Sequence, residues 1–501
     1  MACVIGIDIG TTSTIGILIR LPDQVLGLAS RPVTLRSPQP AWAEEDPEQW
    51  WRNLCAITRE LLATGRLAAG ELAAVGVAGM TPAIVLLDEH GRILRPSIQQ
   101  SDGRCARELE ELRAEIDETE FVRVAGNGVN QQLIASKLRW IERHEPLVFR
   151  RIATVLGSYD YVNWRLTGER RVERNWALEA GLVDLRRHQI AEELVAYTHL
   201  PSAAIPAIVG SSEIIGRVSR KQAQESGLPE GLPVVGGAAD LIASALAAGL
   251  VKSGDALLKF GGSIDVLVAT DRIAPDRRMF LDYHLVPGLY VPNGCMSTGG
   301  SGLNWFADIL ASHEKPAAAD RTLHQHLDRL AAQVAAGADG VAMVPYFLGE
   351  KTPIHDPLAR GTITGLSLSH NVGHLWRALL EAYAYAIAHH VEVFRDMGHE
   401  VRACTASDGG SSSRLWMQIV SDALQQPIQL LDGHPGSCLG AAWTAAVGVG
   451  LTDDWSGIGC FVRRGDLIQP DGRNAAVYAS GYRRFRETYR CLSAMSSEVT
   501  R

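Results

Sequence analysis

The stretch "IGIDIGTTST", residues 5–14, carries the pattern that decides the fold. Apolar residues alternate with small ones up to Asp8, and the chain then turns at Gly10 into Thr11 and Thr12. This pattern predicts a β-hairpin. Because glycine has no side chain, the backbone of such a turn can approach an anion closely, and its N–H groups and hydroxyls can converge on it. A tight hairpin with ordinary polar turn residues explains the same pattern.

A polar turn alone does not explain why a carboxylate, Asp8, lies beside it. A carboxylate beside the turn would repel a phosphate unless Mg²⁺ stands between them, and Mg²⁺ is commonly held by one or two carboxylates together with phosphates. The sequence contains neither G-x-x-x-x-G-K-[ST] nor G-x-G-x-x-G, which argues against a P-loop NTPase and a dinucleotide-binding dehydrogenase. Any phosphate site must therefore come from glycine-bearing hairpins.

Composition limits the class of protein. The 501 residues carry a net charge of −8 without a long basic run, which argues against a nucleic-acid or anionic-membrane surface. Eight dispersed cysteines without a C-x-x-C pair argue against a zinc site and predict buried thiols in a reducing compartment. No signal peptide precedes the first predicted strand, and no apolar run reaches the ~20 residues of a membrane helix. We expect a cytoplasmic α/β protein of two to four domains.

Predicted strands alternate with predicted helices along the chain, which is typical of an α/β protein. The predicted strands are Val4–Ile9, Ile15–Ile19, Leu72–Val77, Ile84–Leu87, Val234–Val235, Ala256–Phe260 and Val266–Ala269. The predicted helices include "PEQWWRNLCAITRELLATG" (47–65), "CARELEELRAEI" (105–116) and "HLWRALLEAYAYAIAHHVEVFRDMG" (374–398).

A coarse duplication is visible in the strand pattern. "VIGIDIGTTSTIGILI" (4–19) is echoed by "ALLKFGGSIDVLVAT" (256–270), again a strand, a glycine turn with a hydroxyl, and a second strand. The two stretches lie about half a chain length apart, which predicts two similar halves with a boundary near "SALAAGLVKSGD" (244–255). A chance likeness between two glycine-rich hairpins is the alternative.

Three further motifs contain candidate functional residues. Asp240 follows a strand and two glycines and precedes an Ala-rich helix, so it is either a helix N-cap or a general base facing a substrate hydroxyl. Asp102 is either a cap or a ligand for sugar hydroxyls. The Gly409-Gly410 turn is either a left-handed turn followed by Ser caps or a flat backbone on which an adenine packs.

Together these pieces resemble the FGGY family of carbohydrate kinases from about residue 4 to about residue 450. Eleven pieces occur in the family's order, which is far more specific than any single one. They are "GIDIGTTS", "AWAEEDPEQWW", "ILRPSIQQSDGR", "KLRWI", "YDYVNWRLTGE", "VVGGAADLIASALAAG", "KFGGS", "STGGSGLNWF", "PYFLGEKTPIHDPLARGTITGLSLSH", "DGGSSSRLWMQIVSDAL" and "HPGSCLGAAWTAAVGVGL".

The resemblance implies a fold of two ribonuclease-H-like domains of the actin, hexokinase and sugar-kinase kind around a central cleft. Residues 1–247 would form the N-terminal, sugar-binding domain and residues 248–501 the C-terminal, ATP-binding domain. It also implies ATP and Mg²⁺ as cofactors, a small sugar or polyol as substrate, and no nucleic-acid or membrane partner. A homodimer is common among such kinases.

The same resemblance assigns roles residue by residue. Asp240 matches the catalytic aspartate, Asp8 the aspartate near Mg²⁺, and Asp102 a sugar-binding aspartate. Met80, Thr81 and Gln100, together with Asp102 and Asp240, are the candidate acceptor contacts. The candidate ATP-binding residues are Gly10, Thr11, Thr12, Gly261, Gly262, Ser263, Gly300, Asn304, Gly409, Gly410 and Ser413.

The sequence also departs from the family pattern. Gly262 stands where the second phosphate hairpin usually carries Thr, and Gln100 replaces a common sugar-side Trp. The stretch "GMTP" (79–82) differs from the Gly-Gln-Met-His of xylulose kinases and from the Arg-Glu of glycerol kinases. We expect an ATP-dependent kinase acting on a terminal hydroxyl of a ketose, with the motif spacing closest to the xylulose kinase branch. The alternatives are a kinase for ribulose, erythritol, glycerol or another polyol, and a catalytically silent regulator that binds ATP or sugar.

Overall fold

The computed structural model describes residues 2–68, 70–311, 322–433 and 435–499. Groups of strands and groups of helices follow one another along these ranges, in agreement with the α/β prediction. None of the helices described is long and apolar enough to cross a membrane.

The first half of the chain contains many short strands around a few long ones. Its strands are β1 (Cys3–Ile9), β2 (Ser13–Arg20), β3 (Gln24–Pro32), β4 (Glu44–Glu45), β5 (Leu72–Gly79), β6 (Val85–Leu87), β7 (Ser97–Ile98), β8 (Thr154–Leu156), β9 (Val172–Glu173), β10 (Val183–Asp184), β11 (Gln189–Ile190), β12 (Ile208–Val209), β13 (Ile214–Arg217), β14 (Pro233–Val235) and β15 (Ala238–Ala239). Its helices are α1 (Pro47–Gly65), α2 (Ala106–Glu115), α3 (Glu118–Ala125), α4 (Ile134–His144), α5 (Pro146–Phe149), α6 (Ser158–Thr167), α7 (Arg174–Glu179), α8 (Glu192–Val195), α9 (Arg220–Ser226) and α10 (Asp240–Ala247).

The second half has fewer strands and longer helices. Its strands are β16 (Asp255–Phe260), β17 (Ile264–Val268), β18 (Phe280–Tyr283), β19 (Tyr290–Met296), β20 (Ala342–Val344), β21 (Thr362–Thr364), β22 (Ala403–Ser407), β23 (Ile428–Leu431) and β24 (Arg464–Ile468). Its helices are α11 (Gly300–Ala311), α12 (Leu323–Ala331), α13 (Val372–Asp396), α14 (Arg414–Leu424), α15 (Ser437–Gly448) and α16 (Ala475–Val499).

The predicted helix at 47–65 is confirmed residue for residue as α1. Its start is determined locally, because the Asp46 side chain accepts a hydrogen bond from Glu48 N (3.0 Å) and Pro47 occupies the first turn. The chain leaves the helix through Arg66, whose φ of 46° is left-handed.

The chain forms two compact units, and both are discontinuous in sequence. Unit 1 comprises residues 1–251, 275–291 and 434–462, and unit 2 comprises residues 252–274, 292–433 and 463–501. The expected domain boundary at residue 247 stays a prediction. The units differ from a single cut there, because β18 and α15 pack with unit 1 although they lie late in the chain.

Unit 1 is built on a sheet with the strand order β13–β14–β5–β1–β2–β3. The predicted hairpin is confirmed: β1 and β2 are antiparallel, with Ile9 opposite Thr14, and Gly10 N donates to Ser13 O (3.1 Å). On the other side of β1, strand β5 runs parallel to it, and β14 runs parallel to β5.

Unit 2 repeats this arrangement. Six strands of its main sheet follow the order β24–β23–β22–β16–β17–β19, in which β23–β24, β16–β17 and β17–β19 are antiparallel and β16–β22 and β22–β23 are parallel. The hairpin turn at residues 261–263 takes the place that residues 11–13 take in unit 1, with the same alternation of partly exposed and exposed residues. The duplication predicted from the two hairpins therefore appears as the same strand order in both sheets.

Helix α15 lies directly on the backbone of β1 and β5. A Cβ placed on Gly6 would lie 1.9 Å from the carbonyl oxygen of Cys438, and one on Gly76 would lie 2.3 Å from that of Ala441. On the helix itself, a Cβ on Gly440 would lie 2.1 Å from the carbonyl oxygen of Ala243 in α10. Only glycine permits backbones to approach this closely.

The cysteine prediction is partly wrong. All eight cysteines are free, and Cys3, Cys55, Cys105, Cys404 and Cys438 are buried as expected. Cys295 is only partly buried, however, and Cys460 and Cys491 are exposed. Cys460 lies in a short 3-10 helix (Trp455–Phe461) and Cys491 lies in α16, each at the protein surface.

Gly6→Ala tests the packing of α15 on β1. Its methyl group would collide with helix backbone rather than with a movable side chain, so we expect the free energy of unfolding to fall by roughly 2–3 kcal/mol. Chemical denaturation monitored by circular dichroism measures the change. Gly459→Ala is the matched control, since a Cβ there meets no atom within 4 Å. Equal stability of the two variants would contradict the packing argument.

Candidate active site

Three residues predicted from separate motifs lie at one edge of the sheet of unit 1. Asp8 in β1 is opposite Ala78 in β5, and Ala238 in β15 is opposite the same Ala78. The chain continues from the ends of these parallel strands into Met80 and Asp240. The carboxyl ends of parallel strands are where α/β proteins commonly bind ligands. The register thus brings Asp8 and Asp240 to the same edge.

Asp240 is the first residue of α10 and not its N-cap. The N-cap position is occupied by Ala239, and the Asp240 carboxylate accepts a hydrogen bond from Leu241 N (2.6 Å). The side chain is partly exposed, and it lies where the positive end of the α10 dipole stabilises a negative charge.

Met80 and Thr81 connect the first hairpin to the interior of unit 1. The Thr11 hydroxyl donates to Met80 Sδ (3.9 Å), and Ser158 Oγ donates to the carbonyl oxygen of Met80 (2.9 Å). Thr81 Oγ1 donates to Glu179 Oε1 (2.6 Å). Both Met80 and Thr81 are buried. Contacts of this kind fix the loop after β5 against the phosphate-hairpin candidate.

Glu179 and Asp282 are acidic residues of this region that the motif analysis missed. Burial raises the pKa of Glu179 well above its usual value, and the nearby Asp282 and Asp240 raise it further, while the hydrogen bond from Thr81 lowers it. Glu179 also forms a side-chain hydrogen bond with Asp282. Two carboxyl groups this close share a proton rather than both ionising.

No local signal in the sequence predicts that Glu179 and Asp282 are in contact. Glu179 ends the short helix α7, and Asp282 lies in β18, about a hundred residues later. Asn175 in α7 holds β18 in place: its side chain donates to the carbonyl oxygen of Tyr283 (2.9 Å) and accepts from Tyr283 N (2.8 Å).

A buried carboxylate also anchors α7. Glu173 accepts hydrogen bonds from Tyr159 OH (2.9 Å), Ser211 Oγ (2.6 Å) and Asn175 N (2.8 Å). Burial raises its pKa despite these donors. Such a satisfied buried network fixes one helix position, and Glu179 is carried at the other end of that helix.

Asp102 is fully buried, and its carboxylate already has several donors. It accepts hydrogen bonds from Ala43 N (2.5 Å) and from Arg104 Nε (2.8 Å) and Nη2 (2.7 Å). Arg104 in turn lies 3.8 Å from the ring centre of Trp42. This geometry is that of a structural ion pair, and a sugar-binding role for Asp102 stays a prediction.

The segment around Gln100 is held close to the Thr81 loop. Ile84 N donates to the carbonyl oxygen of Ile98 (3.0 Å), and the buried Lys137 Nζ donates to that of Gln99 (2.9 Å). Burial lowers the pKa of Lys137 to about 8. Gln100 itself is partly exposed, and its role as an acceptor contact stays a prediction.

In unit 2, a pocket of about 480 Å³ brings together three glycine motifs that are far apart in sequence. Seven of the predicted ATP-binding residues line it, and Ser263 is not among the lining residues. These seven are Gly261, Gly262, Gly300, Asn304, Gly409, Gly410 and Ser413. The other predicted ones, Gly10, Thr11 and Thr12, form the turn between β1 and β2 in unit 1.

The pocket walls contain residues that the motifs did not reveal. Asp328 in α12 accepts hydrogen bonds from Ser413 Oγ (2.6 Å) and from Trp376 Nε1 (2.7 Å). Phe260 and Trp416 line the pocket and contact each other edge to face, with ring centres 4.8 Å apart. Apolar rings beside a few fixed polar groups are typical of small-molecule sites.

Gly262 is the departure from the family pattern in this pocket. It is exposed, and a Cβ placed on it would meet no atom within 4 Å. The turn therefore has room for the usual threonine, so what this chain lacks here is one hydroxyl donor.

Comparison with known proteins decides the family. The model of the N-terminal domain of the FGGY family of carbohydrate kinases matches residues 3–247, and that of the C-terminal domain matches residues 262–449. The chain belongs to the FGGY family of carbohydrate kinases. It is a sugar phosphotransferase, and the family and fold predicted from the eleven motifs are confirmed.

Several relatives of this FGGY kinase are named after one sugar. A xylulose kinase from Escherichia coli is 32% identical over 447 residues, which cover 88% of this chain and 89% of the relative. One from Klebsiella pneumoniae is 32% identical over 480 residues, covering 95% and 96%. The crystal structure of xylulose kinase from Rhodospirillum rubrum is 55% identical, covers 99% of this chain and 100% of that one, and has a TM-score of 0.94.

The raised pKa of Glu179 predicts a pH dependence of stability. Between the pKa of the unfolded chain and that of the folded one, the folded kinase holds a proton that the unfolded chain has released. The free energy of unfolding therefore falls as the pH rises, by at most about 1.4 kcal/mol per pH unit for one proton. We expect Glu179→Gln to be less sensitive between about pH 5 and pH 8.

Denaturation curves at several pH values measure these slopes. Glu230→Gln is the matched control because Glu230 is exposed and lies outside the acidic cluster, so its slope should equal that of the wild type. If Glu179→Gln also keeps the wild-type slope, Glu179 does not take up a proton on folding.

Proposed function

We propose that this FGGY kinase transfers the γ-phosphate of ATP to a terminal hydroxyl of xylulose. The observation that carries the proposal is the pocket of unit 2, where residues 261–262, 300–304 and 409–413 converge. A second observation, within unit 1, is the sheet edge at which Asp8 and Asp240 lie. The names of the relatives support xylulose as the acceptor.

The pocket suits a nucleotide in its shape and chemistry. The backbone of the two glycine turns is free of side chains, which favours close approach by phosphates or by a flat base. Phe260, Trp376 and Trp416 supply apolar ring surface, and Asn304 supplies donors and an acceptor. Among the described residues that line the pocket, the acidic one is Asp328, whose carboxylate accepts hydrogen bonds from Ser413 and Trp376.

Asp240 acts in this proposal as the general base. Its carboxylate accepts the proton of the acceptor hydroxyl as that oxygen attacks the γ-phosphorus, and the bond from this phosphorus to the bridging oxygen breaks so that ADP leaves. Phosphoryl transfer needs little covalent chemistry from a protein beyond this: the nucleophile and the phosphate must be held in line and the charge neutralised. Asp240 lies in the first turn of α10, where the helix dipole favours a negative charge.

Asp8 is the residue that would hold Mg²⁺. Among the residues that the structure describes, no group of three or more His, Cys, Asp or Glu side chains is arranged to hold a metal ion. One carboxylate suits Mg²⁺ nonetheless, because this ion usually keeps several waters and binds to substrate phosphates. When bound, it would neutralise the charge of the transferring phosphate.

Thr81 and Glu179 determine in this proposal how a hydroxyl of the acceptor sugar is hydrogen-bonded. The Thr81 hydroxyl donates to Glu179, so its own lone pairs are left to accept a hydrogen bond from an acceptor hydroxyl. Met80, buried beside the Thr11 hydroxyl, supplies an apolar wall. A polyhydroxylated chain such as that of xylulose offers donors to these oxygens.

Asp240→Asn tests the general base. The amide cannot accept the hydroxyl proton, so we expect kcat to fall by at least ~10²-fold while ATP still binds. Sugar-dependent ADP release measures kcat, and calorimetry measures ATP binding. Asp23→Asn is the matched control, since Asp23 is exposed in the turn between β2 and β3 at the opposite end of the sheet. Near-normal turnover of Asp240→Asn would rule out this role.

A panel of acceptors tests the substrate. With ATP and Mg²⁺ in excess, we expect kcat/KM to be highest for xylulose and lower for ribulose, erythritol and glycerol, because their carbon chains present fewer or differently placed hydroxyls to Thr81 and Asp240. Coupled ADP release measures all four. A higher value for another compound would reassign the acceptor, and tight ATP binding without ADP release from any would favour a silent binding protein.

A further inference from the structure

The turn Gly261–Gly262 is held in place by hydrogen bonds from another segment of the chain. Its two carbonyl oxygens accept hydrogen bonds from residues 297–301, a segment that we call the strap. Gly300 N donates to Gly261 O (2.9 Å), and Gly299 N and Ser301 N donate to Gly262 O (2.8 and 3.0 Å). Ser301 Oγ adds a further bond to Gly262 O (2.7 Å). The place of the turn is therefore fixed by the place of the strap.

The beginning of the strap is fixed by Glu350. Its Oε1 accepts hydrogen bonds from Ser297 N (2.7 Å) and from Lys351 N (2.8 Å). The next residue of the strap, Thr298, is held separately: its hydroxyl donates to the carbonyl oxygen of Pro345 (3.1 Å) and accepts from Tyr383 OH (3.1 Å).

Burying the carboxyl group of Glu350 at this position costs free energy. The side chain is buried, and burial raises the pKa of its carboxyl to about 7, against the lowering effect of the Ser297 and Lys351 N–H groups. Burying an acid costs free energy unless its oxygens accept hydrogen bonds. A group that costs stability and yet bonds the strap points to a role in placing what the strap holds.

We propose that Glu350 is a positioning residue for the nucleotide: through the strap it holds the Gly261–Gly262 turn where the phosphates of ATP bind. This inference rests on the proposed function, since it takes the pocket of unit 2 as the ATP site. Glu350 itself is absent from the residues that line the pocket, so it acts through the strap and not by contact with the nucleotide.

The neighbouring Thr352 allows the role to be tested without loss of the fold. Its hydroxyl accepts a hydrogen bond from Cys295 N (2.7 Å) and donates to Cys295 O (3.1 Å), which ties the same loop to the end of β19. Removing the Glu350 carboxyl therefore frees the beginning of the strap while the loop stays attached.

Calorimetric titration with ATP and with AMP tests the proposal. We expect Glu350→Ala to bind ATP at least ~5-fold more weakly, because Ser297 N loses its buried acceptor and the position of the strap then depends on the hydrogen bonds of Thr298. AMP, which lacks the β- and γ-phosphates, should change by less than about 2-fold. Glu350→Gln should restore ATP binding, since an amide oxygen accepts the same two N–H groups.

Two further variants complete the experiment. Tyr489→Phe is the matched control: it removes a hydrogen bond from Tyr489 OH to Asp356 Oδ2 (2.8 Å) in the same loop, away from the strap, and should bind ATP as the wild type does. If Glu350→Ala does not fold, Glu350→Asp keeps a carboxylate too short to reach Ser297 N and should bind ATP ~3-fold more weakly.

Three results would overturn the inference. They are unchanged ATP binding by Glu350→Ala or Glu350→Asp, equal losses for ATP and AMP, and failure of Glu350→Gln to restore binding. A wild-type protein that binds no adenine nucleotide would instead overturn the proposed function, and the inference with it, so the two failures are told apart by the wild type alone.

Discussion

The structure of unit 1 depends on one steric constraint, the contact of α15 with bare strand backbone. Gly6 and Gly76 lie in neighbouring parallel strands, and the helix sits on both so closely that any Cβ would collide with its carbonyl oxygens. The helix comes from residues 437–448, so the chain must return to unit 1 to complete its core. Since Gly6 and Asp8 are two residues apart in β1, this packing also fixes the strand that carries the proposed Mg²⁺ residue.

Buried acids recur wherever the proposed site needs a fixed loop. Glu173 anchors α7, Asp102 closes an ion pair with Arg104, and Glu350 holds the strap. In each case the carboxylate accepts hydrogen bonds from sequence neighbours and from at least one distant residue, which satisfies polar groups that burial would otherwise leave without partners. Glu179 differs from these, because burial raises its pKa and two neighbouring carboxyl groups, those of Asp282 and Asp240, raise it further.

The role of each glycine motif depends on the residues that surround it in the structure. As a sequence, "GGS" at 261–263 is one of many glycine turns in this chain, and its lost threonine hydroxyl looks like a defect. In the structure it faces Gly409–Gly410 and Asn304 across one pocket and is held by the strap. The backbone of this turn is thus fixed by four hydrogen bonds to Gly261 and Gly262, none of which requires the missing hydroxyl.

The sequence by itself determined the local elements, the duplication and the family. Helix α1 and the hairpin at residues 3–20 follow from an N-cap aspartate, a proline in the first turn, and alternation around Gly10, all of which act within a few residues. Only the tertiary structure decided which distant residue each buried acid contacts. Three pairs of contacting residues are each separated by some fifty to a hundred residues: Glu179 and Asp282, Glu350 and Ser297, and Asp328 and Ser413. The local sequence around one residue of such a pair does not predict the other. Such pairs form because folding removes their polar groups from water, and the partner that satisfies each is set by the topology of the sheets.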